Sequence, residues 1–263
     1  MKGRLQVREQ GEGPVALFVH GFMGDGRDWE EVIAGCRDVR RCVAVDLPGH
    51  GGSVGALGEE PMTLGAMAEQ VAAVVAEVSS EPVDVVGYSM GGRVALALAL
   101  AYPERVRTVV LESASPGLEG EGARKVRAEL DRERAARLRG VGVRGFVAEW
   151  YELALFESLR AHPGFEAMKG RRLEGDAEAL ARVIAEVSPG LEPERWSELP
   201  GLGVPSLWIA GASDARYASM AARAAGASGG EARVIGGAGH NVHLEEPRGV
   251  VEALRVFWRS AGG

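Results

Sequence analysis

Short apolar runs rich in β-branched residues recur along the chain, separated by stretches of helical periodicity. The runs are VALFV (15–19), CVAV (42–45), VDVVG (83–87), VRTVVL (106–111), SLWIA (206–210) and ARVI (232–235). Continuous runs of this kind predict strands buried on both faces, as in a parallel sheet. Between them, Thr63 is placed to cap a helix whose apolar side is Leu64, Met67, Val71, Val74, Val75 and Val78. MGGRVALALALAY (90–102) predicts a second helix, ended by Pro103. The alternation is that of an α/β fold with helices on both faces of a mostly parallel sheet.

The alternation breaks between Pro116 and about Leu191. This segment has helical periodicity, no convincing strand, and a dense arginine content, as in GARKVRAELDRERAARLRG (122–140). A helical insertion between two parallel strands sits over the C-terminal edge of the sheet, where such folds bind ligands. The expected organisation is therefore a core made of residues 1–115 and 191–263, with residues 116–190 as a helical cap. GASGGE (226–231) is expected to be a flexible loop.

Composition adds limits on function. The 263 residues are 46% hydrophobic and 25% charged, ordinary for a globular protein, and the formal net charge is -7. That balance disfavours general binding to nucleic acid or an anionic membrane, while leaving room for a local arginine cluster that holds a small anion. The N-terminal stretch lacks the apolar core of a signal peptide, and no apolar run approaches the roughly 20 residues of a membrane span. Val94–Ala101, the longest run, reads as a buried helix. Cys36 and Cys42 form neither a disulfide framework nor a metal-ligand pattern, so a reducing, cytoplasmic location without a bound metal is expected.

The candidate chemistry begins at Gly87-Tyr88-Ser89-Met90-Gly91, a G-x-S-x-G sequence between a predicted strand and a predicted helix. A serine on that bend projects at a helix N-terminus, where backbone N–H groups favour developing negative charge. Its base is expected at His240, in the glycine-rich GGAGHNVHLEEP (236–247), with His243 as a rival or packing residue. Asp214, after SLWIA, is the candidate orienting carboxylate, or merely the start of a turn. The order Ser89, Asp214, His240 is that of an α/β-hydrolase triad. The turn His20-Gly21-Phe22 can aim the Phe22 N–H at the serine, and with the Met90 N–H it would form an oxyanion hole. Asp46 and His50 in DLPGHGGS (46–53) read as structural. Arg93 lies four residues after Ser89, on the same helix face.

Across nearly its whole length the chain resembles the 2-succinyl-6-hydroxy-2,4-cyclohexadiene-1-carboxylate synthases of menaquinone biosynthesis. GYSMGGR (87–93) is shared with many α/β-hydrolases. More specific are LESASPGLEGEGARKVRAELDRERAARL (111–138), FVAEWYELALFESL (146–159) and GAGHNVHLEEP (237–247). The resemblance implies an α/β-hydrolase fold and a lyase that eliminates pyruvate from 2-succinyl-5-enolpyruvyl-6-hydroxy-3-cyclohexene-1-carboxylate, with no cofactor. Ser89, activated by His240, would act as general base, and the oxyanion hole would hold an enolate. The resemblance further implies substrate binding by Arg93, by Arg127, and by Arg171 or Arg172, with Arg172 preferred. Arg127 also fits a solvated helix with i,i+4 opposite charges, its partner being Asp131. Tyr88 and Trp150 would line the pocket, or simply pack in the core.

Two departures stand out: Ala154-Leu155-Phe156 where relatives read Pro-Leu-Phe, and Arg216 where a lysine is common nearby. The expected partner is a small polycarboxylate, with no nucleic acid or membrane, bound by a monomer or weak homo-oligomer. The competing expectations are a serine hydrolase acting on an acidic substrate with the same triad, and a non-catalytic receptor.

Overall fold

The computed structural model describes residues 3–261. Seven strands form one sheet: β1 (Val7–Gln10), β2 (Val15–Val19), β3 (Arg41–Val45), β4 (Val83–Tyr88), β5 (Val106–Glu112), β6 (Ser206–Gly211) and β7 (Glu231–Ile235). Their spatial order is β1-β3-β2-β4-β5-β6-β7, parallel throughout except for β1, which runs antiparallel to β3. The period-2 alternation of a strand divides the central residues between two apolar layers. Leu17, Val19, Val43, Val45 and Val85 face one layer, and Ala16, Phe18, Ala44 and Val86 face the other.

Ten α-helices accompany the sheet in chain order among the described residues. They are α1 (Glu30–Cys36), α2 (Leu64–Val78), α3 (Met90–Ala101), α4 (Glu121–Trp150), α5 (Glu157–Arg160), α6 (Phe165–Arg172), α7 (Ala177–Glu186), α8 (Ala215–Ser228), α9 (Val242–Glu245) and α10 (Pro247–Ala261). Helices α2, α3 and α8 cover the first face through Met67, Val71, Val94, Leu98 and Ala224. Helices α1 and α10 cover the other through Val32, Ile33, Val250 and Leu254. Thr63 caps α2, its side chain accepting a hydrogen bond from the Ala66 N–H. Among the described residues, no helix is long and apolar enough to cross a membrane.

Helices α4 to α7 lie between β5 and β6 in the chain and contain no strand. They build a cluster of their own from Leu138, Phe146, Val147, Phe156, Met168 and Leu180, into which Met23 of the core inserts. Helix α4 breaks at Gly142, whose φ of 69° lies in the left-handed region open to glycine.

Three expectations need correction. The short strand β1 escapes notice because VREQ carries no apolar run; it is a half-exposed antiparallel edge. Strand β7 is present but not buried on both faces. It pairs on one side alone, with β6, and Glu231 to Val234 are exposed, so the apolar run marks an edge strand and not one buried on both faces. GASGGE is no flexible loop: α8 continues to Ser228, Gly229 ends it at φ 66°, and β7 starts at Glu231.

The strand order places the site. From β2 the chain passes to β3 on one side and then to β4 on the other. This reversal opens a crevice beyond the carboxyl ends of β2 and β4, the switch point at which open α/β sheets bind ligands. Phe22 follows β2 and Ser89 follows β4.

Candidate active site

Ser89 bridges β4 and α3 with φ 51° and ψ −108°, a left-handed conformation that a non-glycine residue adopts only under constraint. The constraint comes from both sides. The Ser89 N–H donates to the Glu112 carbonyl at 2.9 Å, and its own carbonyl accepts from the Arg93 N–H at 3.1 Å. The flanking glycines allow the bend: a Cβ on Gly91 would stand 2.3 Å from the His20 carbonyl oxygen and 2.4 Å from that of Val19. Both obstacles are backbone, so neither can rotate away. Gly91→Ala is therefore expected to cost about 3 kcal/mol of stability, read as a lower urea midpoint, and to lose activity beyond the fraction unfolded.

The bend aims Ser89 at a histidine. Ser89 Oγ lies 3.3 Å from His240 Nε2, and His240 Nδ1 lies 2.9 Å from Asp214 Oδ2. The carboxylate selects the tautomer: Nδ1–H donates to Asp214, leaving Nε2 to accept the serine proton. The 3.3 Å separation is long, as such contacts are before substrate tightens them. Asp214 both starts a turn and orients the histidine. Its Oδ1 accepts the Tyr217 N–H at 3.1 Å and caps α8, which holds Oδ2 toward His240. His240 itself is almost wholly buried, with Tyr217 edge-on at 4.6 Å and Tyr88 tilted at 5.5 Å between ring centroids.

Phe22 and Met90 border the same cavity as Ser89 and His240. Met90 is the first residue of α3, so its N–H has no partner within the helix. The turn that carries Phe22 is held by His20. Its Nδ1–H donates to the Gly21 carbonyl at 2.7 Å, and its Nε2 accepts the Leu47 N–H at 2.9 Å. Burial lowers the His20 pKa and keeps the ring neutral, as this double role requires. Asp46 and His50 stand away from the cavity. Asp46 accepts from Arg8 Nη1 at 2.6 Å and from the N–H groups of Gly26 and Gly52, both at 2.8 Å. His50 donates to the Pro48 carbonyl, and burial pushes its pKa down to about 3.

The cavity is about 360 Å3 in volume and lies between the sheet's carboxyl edge and helices α4 to α7. Tyr88, Trp150 and Phe156 give it aromatic walls, and Arg216 stands at its border. Its arginines differ in how they are paired. Arg93 donates from Nη1 to the Val187 carbonyl at 3.0 Å, while its Nη2 is shut off from solvent without a protein acceptor among the described residues. No carboxylate forms an ion pair with it among the described residues, and burial, outweighing the more distant Glu192 and Asp131 carboxylates, pulls the Arg93 pKa down to about 10. Arg127 also lines the cavity and donates from Nε to Asp131 at 2.7 Å, the i,i+4 pair visible in the sequence.

Arg172 reaches the cavity wall, while Arg171 lies behind it. Arg172 is bound to Asp28 by two parallel hydrogen bonds of 2.9 and 2.7 Å and to the Tyr151 hydroxyl at 3.1 Å. Burial opposes its charge, but Asp28 outweighs the burial and raises its pKa, while Asp28 is lowered in turn. The structure thus places Arg172 at the site with its charge already balanced, which sequence spacing could not reveal.

His243 does not line the cavity but lies behind its wall, edge-on to Tyr88 at 4.8 Å between ring centroids. It stacks on Trp29 at 4.2 Å and its Nδ1–H donates to Glu112 Oε1 at 2.7 Å, both side chains being buried. Residues the sequence left unremarked are Asp28, Glu112, Arg134 and Ser188. Of these only Arg134 carried a signal, as part of the arginine-rich stretch. Among the described residues, no group of three or more His, Cys, Asp or Glu side chains is placed to hold a metal ion.

Comparisons with known proteins bear on the family and the fold. A family model for the alpha/beta hydrolase fold matches residues 14–247. The 2-succinyl-6-hydroxy-2,4-cyclohexadiene-1-carboxylate synthase of Salmonella enteritidis is 32% identical over 252 residues, covering 94% of each chain. Protein PHYLLO of Arabidopsis thaliana is 35% identical over 95% of this chain, which spans only 16% of that much longer protein. Among solved structures, MenH from S. aureus superposes with a TM-score of 0.91 at 26% identity, covering 99% of both chains. A thermophilic esterase from Thermogutta terrifontis, solved with malate bound, gives a TM-score of 0.86 at 28% identity over 98% of this chain and 93% of its own. The chain belongs to the 2-succinyl-6-hydroxy-2,4-cyclohexadiene-1-carboxylate synthase family of the alpha/beta hydrolase fold.

Proposed function

We propose that the protein is a carbon–oxygen lyase of menaquinone biosynthesis. It releases pyruvate from 2-succinyl-5-enolpyruvyl-6-hydroxy-3-cyclohexene-1-carboxylate to give 2-succinyl-6-hydroxy-2,4-cyclohexadiene-1-carboxylate. The observation that carries this reading beyond a general hydrolase is Arg93. One helical turn from Ser89, a sequestered guanidinium without a carboxylate partner faces the same cavity as the triad. A buried cation of that kind suits an acidic substrate and disfavours a neutral ester.

The reaction follows from the geometry. Ser89 Oγ, having passed its proton to His240 Nε2, removes the ring proton α to the succinyl ketone. The electron pair moves onto the ketone oxygen, which the Phe22 and Met90 N–H groups hold as an enolate. Each such donor is worth about 3–4 kcal/mol at the transition state. The enolate then re-forms the ketone, its electron pair passing through the ring double bond to break the carbon–oxygen bond to the enolpyruvyl group. The departing enolpyruvate takes up at carbon the proton held on His240 to become pyruvate. An enolate and a tetrahedral oxyanion make the same demand on these donors, so a hydrolase scaffold serves without an acyl-enzyme. Asp214 keeps His240 in the required tautomer and stabilises the imidazolium.

Residues 116–190 act as the cap that closes this site over the core of residues 1–115 and 191–263. Tyr88 and Trp150 hold the ring, Arg93 and Arg127 receive carboxylates, and Arg172, its charge balanced by Asp28, offers only the N–H groups that Asp28 and Tyr151 leave free. We further propose a cytoplasmic enzyme, a monomer or weak homo-oligomer, in keeping with the buried free thiols of Cys36 and Cys42. Arg93→Gln tests the acidic-substrate reading. A charge-assisted hydrogen bond contributes about 1.5–3 kcal/mol, so kcat/KM should fall by about 10- to 100-fold, chiefly through KM. Steady-state pyruvate release with wild-type constants in this variant would show Arg93 to be a packing residue.

A further inference from the structure

Arg127 and Arg134 share one carboxylate in the cavity wall. Asp131, whose side chain is 1% exposed, accepts from Arg127 Nε on one oxygen at 2.7 Å and from Arg134 Nη1 on the other at 2.9 Å. Ser188 Oγ adds a third donor at 2.7 Å, and is itself fixed by the Gly190 N–H at 3.0 Å. Among the described residues, Asp131 supplies the only protein hydrogen bond that either guanidinium makes. Both side chains border the cavity that holds Ser89, and both are partly exposed. Arg134 is braced a second time, its guanidinium lying 5.2 Å from the centroid of the Trp150 ring.

The charges around the cavity are therefore unequal. Arg172 is neutralised by Asp28, with which Arg171 also makes a 3.2 Å contact. One carboxylate cannot neutralise both Arg127 and Arg134, so an excess of positive charge stays on the wall that α4 builds. Each guanidinium also keeps donors free, and a planar fork with free donors is suited to a carboxylate.

We propose that Arg134 is a carboxylate ligand and a specificity determinant of this cavity, with Asp131 as the positioning residue that presents Arg127 and Arg134 together. The inference rests on the acidic-substrate reading of the site. Asp131 holds each arginine through one nitrogen, which leaves the remaining N–H groups of both free to meet anionic groups of the bound molecule. Trp150 keeps Arg134 from folding away over the surface.

The test uses succinate as a plain dicarboxylate probe in titration calorimetry, beside steady-state pyruvate release. Arg134→Gln should weaken succinate binding and raise KM by about 5- to 10-fold, with kcat within about twofold and the thermal midpoint unchanged. Arg134→Lys, which keeps the charge without the fork, should recover part of the loss. Asp131→Asn should raise KM with kcat preserved, the signature of misaimed ligands rather than a damaged catalytic group. Wild-type succinate binding in Arg134→Gln, alongside weakened binding in Arg93→Gln, would overturn the role of Arg134 and leave the acidic-substrate reading standing. An absence of succinate binding by the wild-type protein would overturn the inference outright. Weakened binding in Arg134→Gln together with no pyruvate release by the wild type would uphold the inference and sink the lyase reading.

Discussion

Ser89→Ala should lower kcat for pyruvate release by about 10³-fold or more while leaving substrate binding close to wild type. A positioned general base contributes about 10²- to 10⁴-fold, and the proposed base is a unit made of Ser89 Oγ and the His240 ring, 3.3 Å apart. The side chain is small and partly open to the cavity, so its loss creates no core void. The strain at φ 51° is not relieved by alanine, because the hydrogen bonds to Glu112 and Arg93 are made by the backbone of residue 89. The fold and the arginine-lined wall therefore remain. Binding of succinate by calorimetry and pyruvate release in single turnover separate the two effects. Undiminished turnover in this variant would mean that His240, or a water it activates, takes the ring proton directly.

The largest effect on stability is expected at Asp28. The Asp28–Arg172 pair joins a turn just before α1 to helix α6, and both side chains are almost completely buried. Asp28→Asn leaves a buried guanidinium without its counter-charge, a change that costs about 3–5 kcal/mol. The double variant Asp28→Asn with Arg172→Met should recover much of that loss, because an apolar pair of similar volume removes both buried charges. Urea unfolding at neutral pH reads both values.

The pH dependence has a definite sign. Arg172 holds the Asp28 carboxyl below its ordinary value of 3.8, although burial alone would raise it. Its contribution is therefore complete above that ordinary value and disappears as the pH falls through the lowered one. The wild type should lose its advantage over Asp28→Asn in acid, while a difference that grew on acidification would contradict the pairing. In steady-state pyruvate release the single variant should show a raised KM, since Arg172 of α6 forms part of the cavity wall.

The parts of this site that are legible in the sequence share a physical reason. Strands β2 to β6 announce themselves because they are buried on both faces, and each residue of the Ser89–His240–Asp214 chain falls just past a strand end. A chain that turns sharply at the edge of a buried sheet has little choice about where its next side chain points. Strand β1 has no such signature, since VREQ is half exposed, and β7 has the apolar residues of a central strand in an exposed edge position.

The charges around the cavity are harder to read, for a different reason. Arg172 finds Asp28 across 144 residues, and nothing local to either indicates the partner. Ser188 reaches Asp131 across 57 residues. Spacing along α4 does show that Arg127, Asp131 and Arg134 can share one helix face. It leaves open whether that face meets solvent or a cavity, and the answer comes from the packing of α4 against α7. His243 is the converse case, a histidine in a promising loop that the fold turns inward to Glu112 and Trp29.

The central claim is that this triad eliminates pyruvate and does not hydrolyse esters. Its most direct test supplies freshly made 2-succinyl-5-enolpyruvyl-6-hydroxy-3-cyclohexene-1-carboxylate to the purified protein, with no added cofactor, and follows pyruvate and diene absorbance together. A panel of aryl esters serves as the comparison. Pyruvate and diene should appear in equal amounts, at a rate far above ester cleavage. Ester turnover without pyruvate release would contradict the claim.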